Sequence, residues 1–515
     1  MSTLEQALIT VIGPDDAARK MTLPGVFAAL ARNEAVGFPA LRAHQRHAWH
    51  SFLVLLAALT LHRAGRTSPP EAEAEWRDLL RNLTSEHPND EPWSLVTPPN
   101  QPALLQPPIP SGNLAELKNR IATPDGLDML VTAKNHDLKQ AMMTEAAGED
   151  WLFALVTLQT MEGFLGAGNY GISRMNGGFA NRAAVSLAPL GGPSQHWQRD
   201  VREVMALRGK LSAGLYAPQG GLALLWLVPW DGTESLRPDK LDEYYIEICR
   251  RVRLSVEQGR MVARAGSSKV PRVVPLPGGV AGDPWSPVVV EKDGTIKSLT
   301  INGSGLGYRR MVEFMFNVRP APLQRDAVGD AKQDLHIIAR ALVRGQGKTE
   351  GYHERRVPVS RKIKYGPLER ATDKRAQAAH ERVDLAGTMQ NSVLKWALLS
   401  LFQNGPDKID VRDKDSQRKA EVFLKQFDAE VDRDFFPDLW VELEEDDPER
   451  RYKLRGDWAR KLLLRAKALL ADAEHKAARS SRRRFRAVVR AQDALNGAAR
   501  RNDKIRPYLS ESAAP

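Results

Sequence analysis

Apolar positions recur along this chain with a mixed rhythm in its first three quarters and a purely helical one thereafter. A short apolar segment, residues 8–12, runs into the turn-forming Gly13-Pro14-Asp15-Asp16, and helical spacing follows over 23–30 and 41–62. Between 66 and 125 the strings PPEAE, HPNDEPW, TPPNQP and QPPIPSGN punctuate the chain, which predicts loops and short strands around one helix near 71–83. A helix is predicted over 150–164, ahead of the glycine-rich LGAGNYGISRMNGG. The run LALLWLVPW, 222–230, reads as a strand or buried segment, and YYIEICRRVRLSVEQGRMVAR alternates charged and apolar residues as sheets do. In VVVEKDGTIKSLTI, Asp293-Gly294 joins two strand-like runs and is the best hairpin signal in the chain. From about residue 384 the pattern is wholly helical, over 385–402, 416–431, 458–473 and 476–499, which predicts an antiparallel bundle. The expected fold class is α+β, with a mixed α/β N-terminal domain (1–370) followed by a C-terminal four-helix bundle (371–515). The boundary is expected between 362 and 383, where apolar residues thin out.

Composition narrows the partners. With 515 residues, 42% of them hydrophobic, the chain can form two or three domains around a substantial core. Its 74 Lys and Arg against 63 Asp and Glu leave a net charge of +11, which favours polyanions. A single cysteine, Cys249, excludes a disulfide framework and any Cys-rich zinc site, and fits a reducing compartment. The opening MSTLEQALITVIGPDD lacks a basic stretch followed by an apolar one, so no secretory signal is expected. The longest apolar run, 52–61, is too short to cross a bilayer as a helix. These features predict a cytoplasmic protein with no membrane partner.

Three strings invite an enzymatic reading, and each lacks its required context. GAGNYG, 166–171, matches G-x-G-x-x-G, but the predicted element before it is a helix, whereas a dinucleotide fingerprint follows a strand. GQGKT, 345–349, resembles a phosphate-binding P-loop, yet Leu342 stands where the motif's first glycine belongs. His44, His47 and His50 share a helix face, but no glutamate of an H-E-x-x-H arrangement accompanies them, and buried or solvated histidines fit better than a metal site. No cofactor or metal is implied.

Two basic or flexible regions remain. Gly163, Gly166, Gly168, Gly171, Gly177 and Gly178 are interleaved with Asn169, Tyr170, Ser173, Arg174, Asn176, Asn181 and Arg182. Glycines permit close backbone approach, while Asn and Arg can meet base edges and phosphates; an ordinary surface loop has the same composition. Between 476 and 506 there are eleven basic residues and two acidic ones, with Arg482, Arg483 and Arg484 consecutive. That density suits a phosphate-binding stripe or a pairing with the acidic VELEEDDPE, 441–449.

The order of segments resembles the CasA family, the large subunits of the type I-E CRISPR surveillance complex Cascade. LITVIGPDDAARKMTLPGVFAAL is similar to the family's opening, without its usual tryptophan, and AHQRHAWHSFLVLLAALTLHRAG to the helix that follows. NQPALLQPP resembles the next loop, with Leu105 and Gln106 at the usual aromatic and glutamine positions. LVTAKNHDLK and DWLFALVTLQTMEGFLGAG are similar to a loop, a helix and a glycine loop. LDEYYIEICRRVRL resembles a signature in which paired arginines end a strand, AGDPWSPVVVEKDGTIKSL an Asp-Pro segment, and RGQGKTEGYHERRVPVS a hairpin before the bundle. DFFPDLW and RRRFRAVVRAQDALNGA resemble the bundle itself. Some members carry a Cys-rich zinc loop, which this chain cannot form.

The resemblance implies a non-enzymatic subunit that reads the protospacer-adjacent motif of duplex DNA largely from the minor groove. Its partners would be CRISPR RNA, double-stranded target DNA, the backbone and small subunits of Cascade, and an effector helicase-nuclease. The motif-reading glycine loop would include Gly166, Gly168, Asn169 and Gly171, with Lys269 as the reading lysine. Gln346, or its neighbours Lys348 and Thr349, would be the strand-opening wedge. Lys134, Asn135 and His136 would contact the RNA handle, and Arg482, Arg483 and Arg484 would meet phosphates. The competing expectations are a P-loop or dinucleotide-dependent enzyme and a basic RNA-binding scaffold.

Overall fold

The apolar segment at the start forms β1 (Ile9–Ile12), which turns at Gly13 and pairs antiparallel with β2 (Ala18–Met21) in a computed structural model of the chain. The structure describes all residues except 129–142, 144, 164–165, 172–181, 211–213, 326, 328–329, 331–332, 346–347, 360–373, 477–480 and 510–515. The described chain divides into two units, one from Met1–Leu306 and Val318–Pro358, the other from Gly307–Asn317 and the described residues after Leu368.

In the first unit, Thr22 caps α1 (Leu23–Ala31) by accepting the Gly25 amide at 3.0 Å, and Pro24 sits in the first turn where no N–H is needed. The second helix, α2 (Arg46–Arg63), is buried from His47 to Leu61 on every face, as expected of a helix apolar all round. Around it pack α3 (Glu73–Asn82), α4 (Gly148–Thr160) and α5 (Pro193–Ala206). Strands β3 (Asn119–Ile121), β7 (Arg251–Glu257) and β8 (Arg260–Gly266) form one antiparallel sheet. In a second sheet, β4 (Ala184–Pro189) pairs with β11 (Leu335–Gly345) from Ala184↔Arg340 to Pro189↔Leu335, and β12 (Lys348–Val359) lies on the far side of β11. The run 222–230 supplies only a three-residue strand, β5 (Leu222–Leu224), beside β6 (Leu241–Ile246). The Asp293-Gly294 hairpin forms, joining β9 (Val288–Val290) to β10 (Ile296–Ser298).

The proline-rich stretch that has no regular structure is held by buried side chains. Arg253 is 1% exposed and donates to the carbonyls of Gln101 (3.0 Å), Gln106 (2.9 Å) and Pro98 (3.0 Å) and to Thr97 Oγ1 (2.8 Å). Gln106 donates to Leu95 O and Leu104 O and accepts the Leu254 amide. Gln159 donates to Leu105 O and Arg250 O and accepts the amides of Cys249 and Arg250. These bonds hold Leu105 at φ +58, a left-handed conformation costly for leucine. Burial pulls the Arg253 guanidinium down to about 10, which leaves it charged at neutral pH.

The second unit is helical: α6 (Tyr308–Phe316), α7 (Lys374–Thr388), a π-helical turn (Met389–Leu394) leading into α8 (Lys395–Phe402), α9 (Lys414–Glu444), α10 (Pro448–Glu474) and α11 (Ser481–Arg501). Phe427, Phe435 and Leu439 of α9 and Trp458 and Leu462 of α10 are buried in its core, with Phe435 edge-on to Trp458, and Ala487, Ala491, Leu495 and Ala499 form a four-residue repeat that seats α11 on α8. The first helical stretch starts eleven residues earlier than the 385 expected. Its buried contacts there are the small Ala376, Ala378 and Ala379, which carry little hydrophobic signal.

Replacing Arg253 with methionine keeps much of its volume but removes the charge-assisted hydrogen bonds of a buried guanidinium to Gln101, Gln106, Pro98 and Thr97. The expected loss is about 3 kcal/mol of stability in urea unfolding of the full chain. An unchanged midpoint would remove Arg253 from its role as the clamp of the 97–107 segment.

Candidate nucleic-acid interface

Three loops of the first unit meet where the sequence placed two of its candidates. The glycine loop follows α4, as expected, and begins inside the protein: Gly163 is buried and its carbonyl accepts from Arg250 at 2.7 Å. The chain then surfaces at Gly166, Asn169 and Gly171, with the Asn169 amide turned back to Gly166 O at 3.0 Å. Gly168 O accepts the Ser268 amide at 3.1 Å, and the Tyr170 hydroxyl donates to Lys269 O at 2.8 Å. From the other side, the Lys269 amide donates to Gly232 O at 2.7 Å, and Arg251 Nη1 reaches Ser267 O at 3.1 Å.

Close approach explains the glycines. A Cβ at Gly168 (φ +82) would stand 2.8 Å from Ser267 Cβ, and one at Gly232 (φ +88) 2.9 Å from Ser268 Cβ. Asp231 rigidifies the third loop by accepting both the amide and the hydroxyl of Thr233, at 2.8 and 2.7 Å. Lys269 therefore has its amide and its carbonyl tied to two different loops while its side chain is exposed. Among the described residues no carboxylate pairs with it. A fixed backbone carrying a free ammonium beside close-packed glycines can reach into a groove and meet acceptors there. Sequence reasoning missed Gly232, Arg251, Ser267 and Ser268; the Asp231-Gly232-Thr233 turn was the available signal.

Other candidates are dispersed. Lys348 and Thr349 open strand β12, and Gln346 lies outside the described residues between β11 and β12. GQGKT thus joins two strands, not a strand to a helix, which removes the context a P-loop needs. GAGNYG follows a helix, which removes the dinucleotide context as well. Lys134, Asn135 and His136 lie outside the described residues, as do Ser173, Arg174, Asn176, Gly177, Gly178 and Asn181. Arg182 is a correction: it is 4% exposed, so it does not belong to the surface loop with which its position grouped it. Arg250 and Arg251 do not end a strand either; Arg250 is buried between β6 and β7, and Arg251 begins β7.

In the second unit, Arg482, Arg483 and Arg484 stand exposed in the first turn of α11, where the helix dipole opposes positive charge. The acidic run has other partners: Glu442 binds Arg382 at 2.5 Å and also Arg455, while Glu445 and Asp447 face Arg450. Among the described residues no ion pair joins the three arginines to a carboxylate.

The three histidines are buried. His44 Nε2 lies 2.6 Å from Asp128 Oδ2, His47 packs edge-on to Trp285, and His50 Nε2 lies 2.8 Å from Asp200 Oδ2. His196 stacks on His50, and the ligand-type atoms of His50, His196 and Asp200 all lie within 4.8 Å of one another. Trp285 also donates to Asp200, at 3.1 Å, and Arg199 lies 3.3 Å from it. Burial and the neighbouring His50 push His196 down to about 3, so it is a neutral hydrogen-bonding group at pH 7. The cluster satisfies a buried carboxylate in a positively charged setting, a poor match for a cation.

The model of the CRISPR-associated protein Cse1 family matches residues 4–469. The chain belongs to the CasA/Cse1 family. Among solved structures, this Cse1-family chain superposes on Thermus thermophilus CasA (TM-score 0.62, 15% identity, covering 97% of this chain and 98% of that one). It superposes similarly on Cse1 from Acidimicrobium ferrooxidans (0.64, 13%, 97% of each) and on Cse1 from Thermobifida fusca (0.62, 13%, 97% and 98%). No curated protein matches it in sequence. A Cse1-family chain is a Cascade large subunit, as the order of segments implied. Its mixed first unit and helical second unit agree with the expected fold class. Among the described residues no helix is long and apolar enough to cross a membrane.

Replacing Gly232 with valine is expected to detach the 267–270 loop from its anchor. In hydrogen exchange, amides 268–270 should exchange about tenfold faster or more, while β7–β8 amides stay protected. Unchanged protection at Lys269 would mean that this close packing does not hold the loop.

Proposed function

We propose that this Cse1-family chain serves an RNA-guided surveillance complex by reading a short motif in duplex DNA and assisting strand opening, without catalysis or a cofactor of its own. The observation that carries this reading is Lys269, tied between the glycine loop and the 231–233 turn with its ammonium exposed. Minor-groove acceptors are shared by A·T and T·A pairs, so a lysine with close-packed glycines reads groove shape as well as hydrogen bonds. Guide pairing would supply the remaining sequence specificity. A surveillance complex is among the matching structures (TM-score 0.59, 13% identity), which supports CRISPR RNA and the backbone and small subunits as partners in the cytoplasm. Lys134, Asn135 and His136 would meet the RNA handle, and an effector helicase-nuclease would dock after target opening. Gln346, Lys348 and Thr349, between or at the start of neighbouring strands, suit an inserting wedge.

The readings of reader and phosphate anchor separate in one experiment with the assembled complex. Lys269→Ala should weaken motif-bearing duplex by about tenfold and leave motif-free duplex nearly unchanged. Reversing Arg482, Arg483 and Arg484 to glutamate should weaken both duplexes alike and flatten the salt dependence by about 0.9 in log–log slope per lost phosphate contact. Equal loss on both duplexes for Lys269→Ala would reject it as a reader; normal binding by the folded triple variant would reject the anchor.

The wedge has its own signature. Alanine at Gln346, Lys348 and Thr349 together should slow opening of linear duplex and spare targets already unpaired beside the motif, because insertion offsets an unstacking cost of about a few kcal/mol per step. Equal impairment of paired and pre-opened DNA would rule out a wedge. ATP binding that Lys348→Ala abolishes would favour an enzyme instead.

A further inference from the structure

A cavity of about 450 Å³ opens in the first unit between α2, the start of α5 and the β11–β12 pair, away from the three loops described above. That size lies within the range of about 300–1,000 Å³ typical of small-ligand sites. Its walls carry two buried polar side chains without partners among the described residues. Trp49 is 2% exposed and its Nε1–H meets no acceptor; His336 is 4% exposed and neither ring nitrogen has a partner. Buried polar groups are almost always bonded, so two orphans among the residues lining one cavity, Trp49 from α2 and His336 from β11, point to a ligand.

The charge around them is positive. Arg340 and Arg356 share the Glu354 carboxylate, each at 3.0 Å, and Tyr352 also donates to it. Arg46, exposed at the rim, has no ion pair among the described residues. Three guanidiniums against one carboxylate leave positive charge uncompensated. Helix α5 adds to it: Gly192 and Pro193 line the cavity, no side chain caps this N-terminus, and no acidic residue stands in its first turn. His336 is pushed down to about 4 by burial and by Arg356 and Arg340, so it keeps one N–H and one bare nitrogen. Phe38 and the Trp49 ring supply an apolar side.

We propose that this cavity binds a nucleoside monophosphate, with its phosphate held by Arg46, Arg356, His336 and the start of α5 and its base against Phe38 and Trp49. The uncompensated charge selects phosphate over carboxylate, since a phosphomonoester carries about −1.5 to −2 at pH 7. The same chemistry comes from a free nucleotide or from the 5′-phosphorylated end of a strand, and the proposal is independent of the motif-reading loops.

Calorimetric titration of the full chain tests it with the four nucleoside 5′-monophosphates, the matching nucleosides and inorganic phosphate. At least one monophosphate should bind saturably, with its nucleoside weaker by about tenfold or more. Arg46→Gln and Arg356→Gln should each weaken binding by about fivefold to tenfold, and Trp49→Phe, which keeps an aromatic ring while removing the Nε1–H donor and the five-membered ring that carries it, by about fivefold. Thermal melting at the parent temperature establishes that each variant is folded. A 5′-phosphorylated tetranucleotide that displaces the monophosphate supports a strand end as the source; monophosphate binding without such displacement supports a free nucleotide. The proposal is overturned if no monophosphate saturates the chain, if folded variants bind like the parent, or if a 5′-hydroxyl strand competes equally. Inorganic phosphate binding as tightly as any monophosphate would mean an adventitious ion only, and overturns it too.

Discussion

Buried side chains donating to main-chain carbonyls are the interaction on which this protein's first unit depends. Long stretches there have no ladder partners, because proline lacks the donor and the turns interrupt pairing. Arg253, Gln106 and Gln159 take up the acceptors of residues 95–107, and Arg272 does the same for Leu225 and Val228 while lying over the Trp230 ring. Burial lowers both arginines to about 10, yet they remain charged, and a charged donor makes a stronger bond to a carbonyl than a neutral one. Irregular backbone thereby becomes a fixed platform from which loops can project.

The three-loop junction uses the same economy at the surface. Its hydrogen bonds run from backbone to backbone or from Tyr170 and Arg251 to carbonyls, so the Lys269 ammonium is not needed for the fold. Functional groups freed from structural duty can be aimed at a partner without loss of stability on release. In α11 the division is by helix face: three alanines and Leu495, spaced every four residues, seat the helix, and the arginines of its first turn stay in solvent.

Electrostatics in the interior follows another rule. Asp200, at 0% exposure, is held ionised well below the usual carboxylate range by the His196 and His50 bonds despite its burial. Glu354 is held down to about 2 by Arg340, Tyr352 and Arg356 against the opposing effect of burial. The net basicity of the chain is thus partly invested inside, and the exposed arginines and lysines carry the remainder.

The long apolar rhythm of α2, the four helical stretches of the second unit and the Asp293-Gly294 hairpin were legible in the sequence, because each is decided by local periodicity or turn chemistry. The glycine loop and Lys269 were legible as residues through a resemblance in segment order. Their adjacency was not, since it arises from hydrogen bonds between positions nearly a hundred residues apart. Strands β4 and β11 escaped notice because their pairing is long-range, and the start of α7 because alanine gives a weak apolar signal. Arg182 shows the same limit from the other side: its place in a glycine-rich run suggested surface chemistry, and burial by distant elements decided otherwise. Composition set the preference for polyanions, but only tertiary packing determined which cations are spent on carboxylates and carbonyls and which stay free.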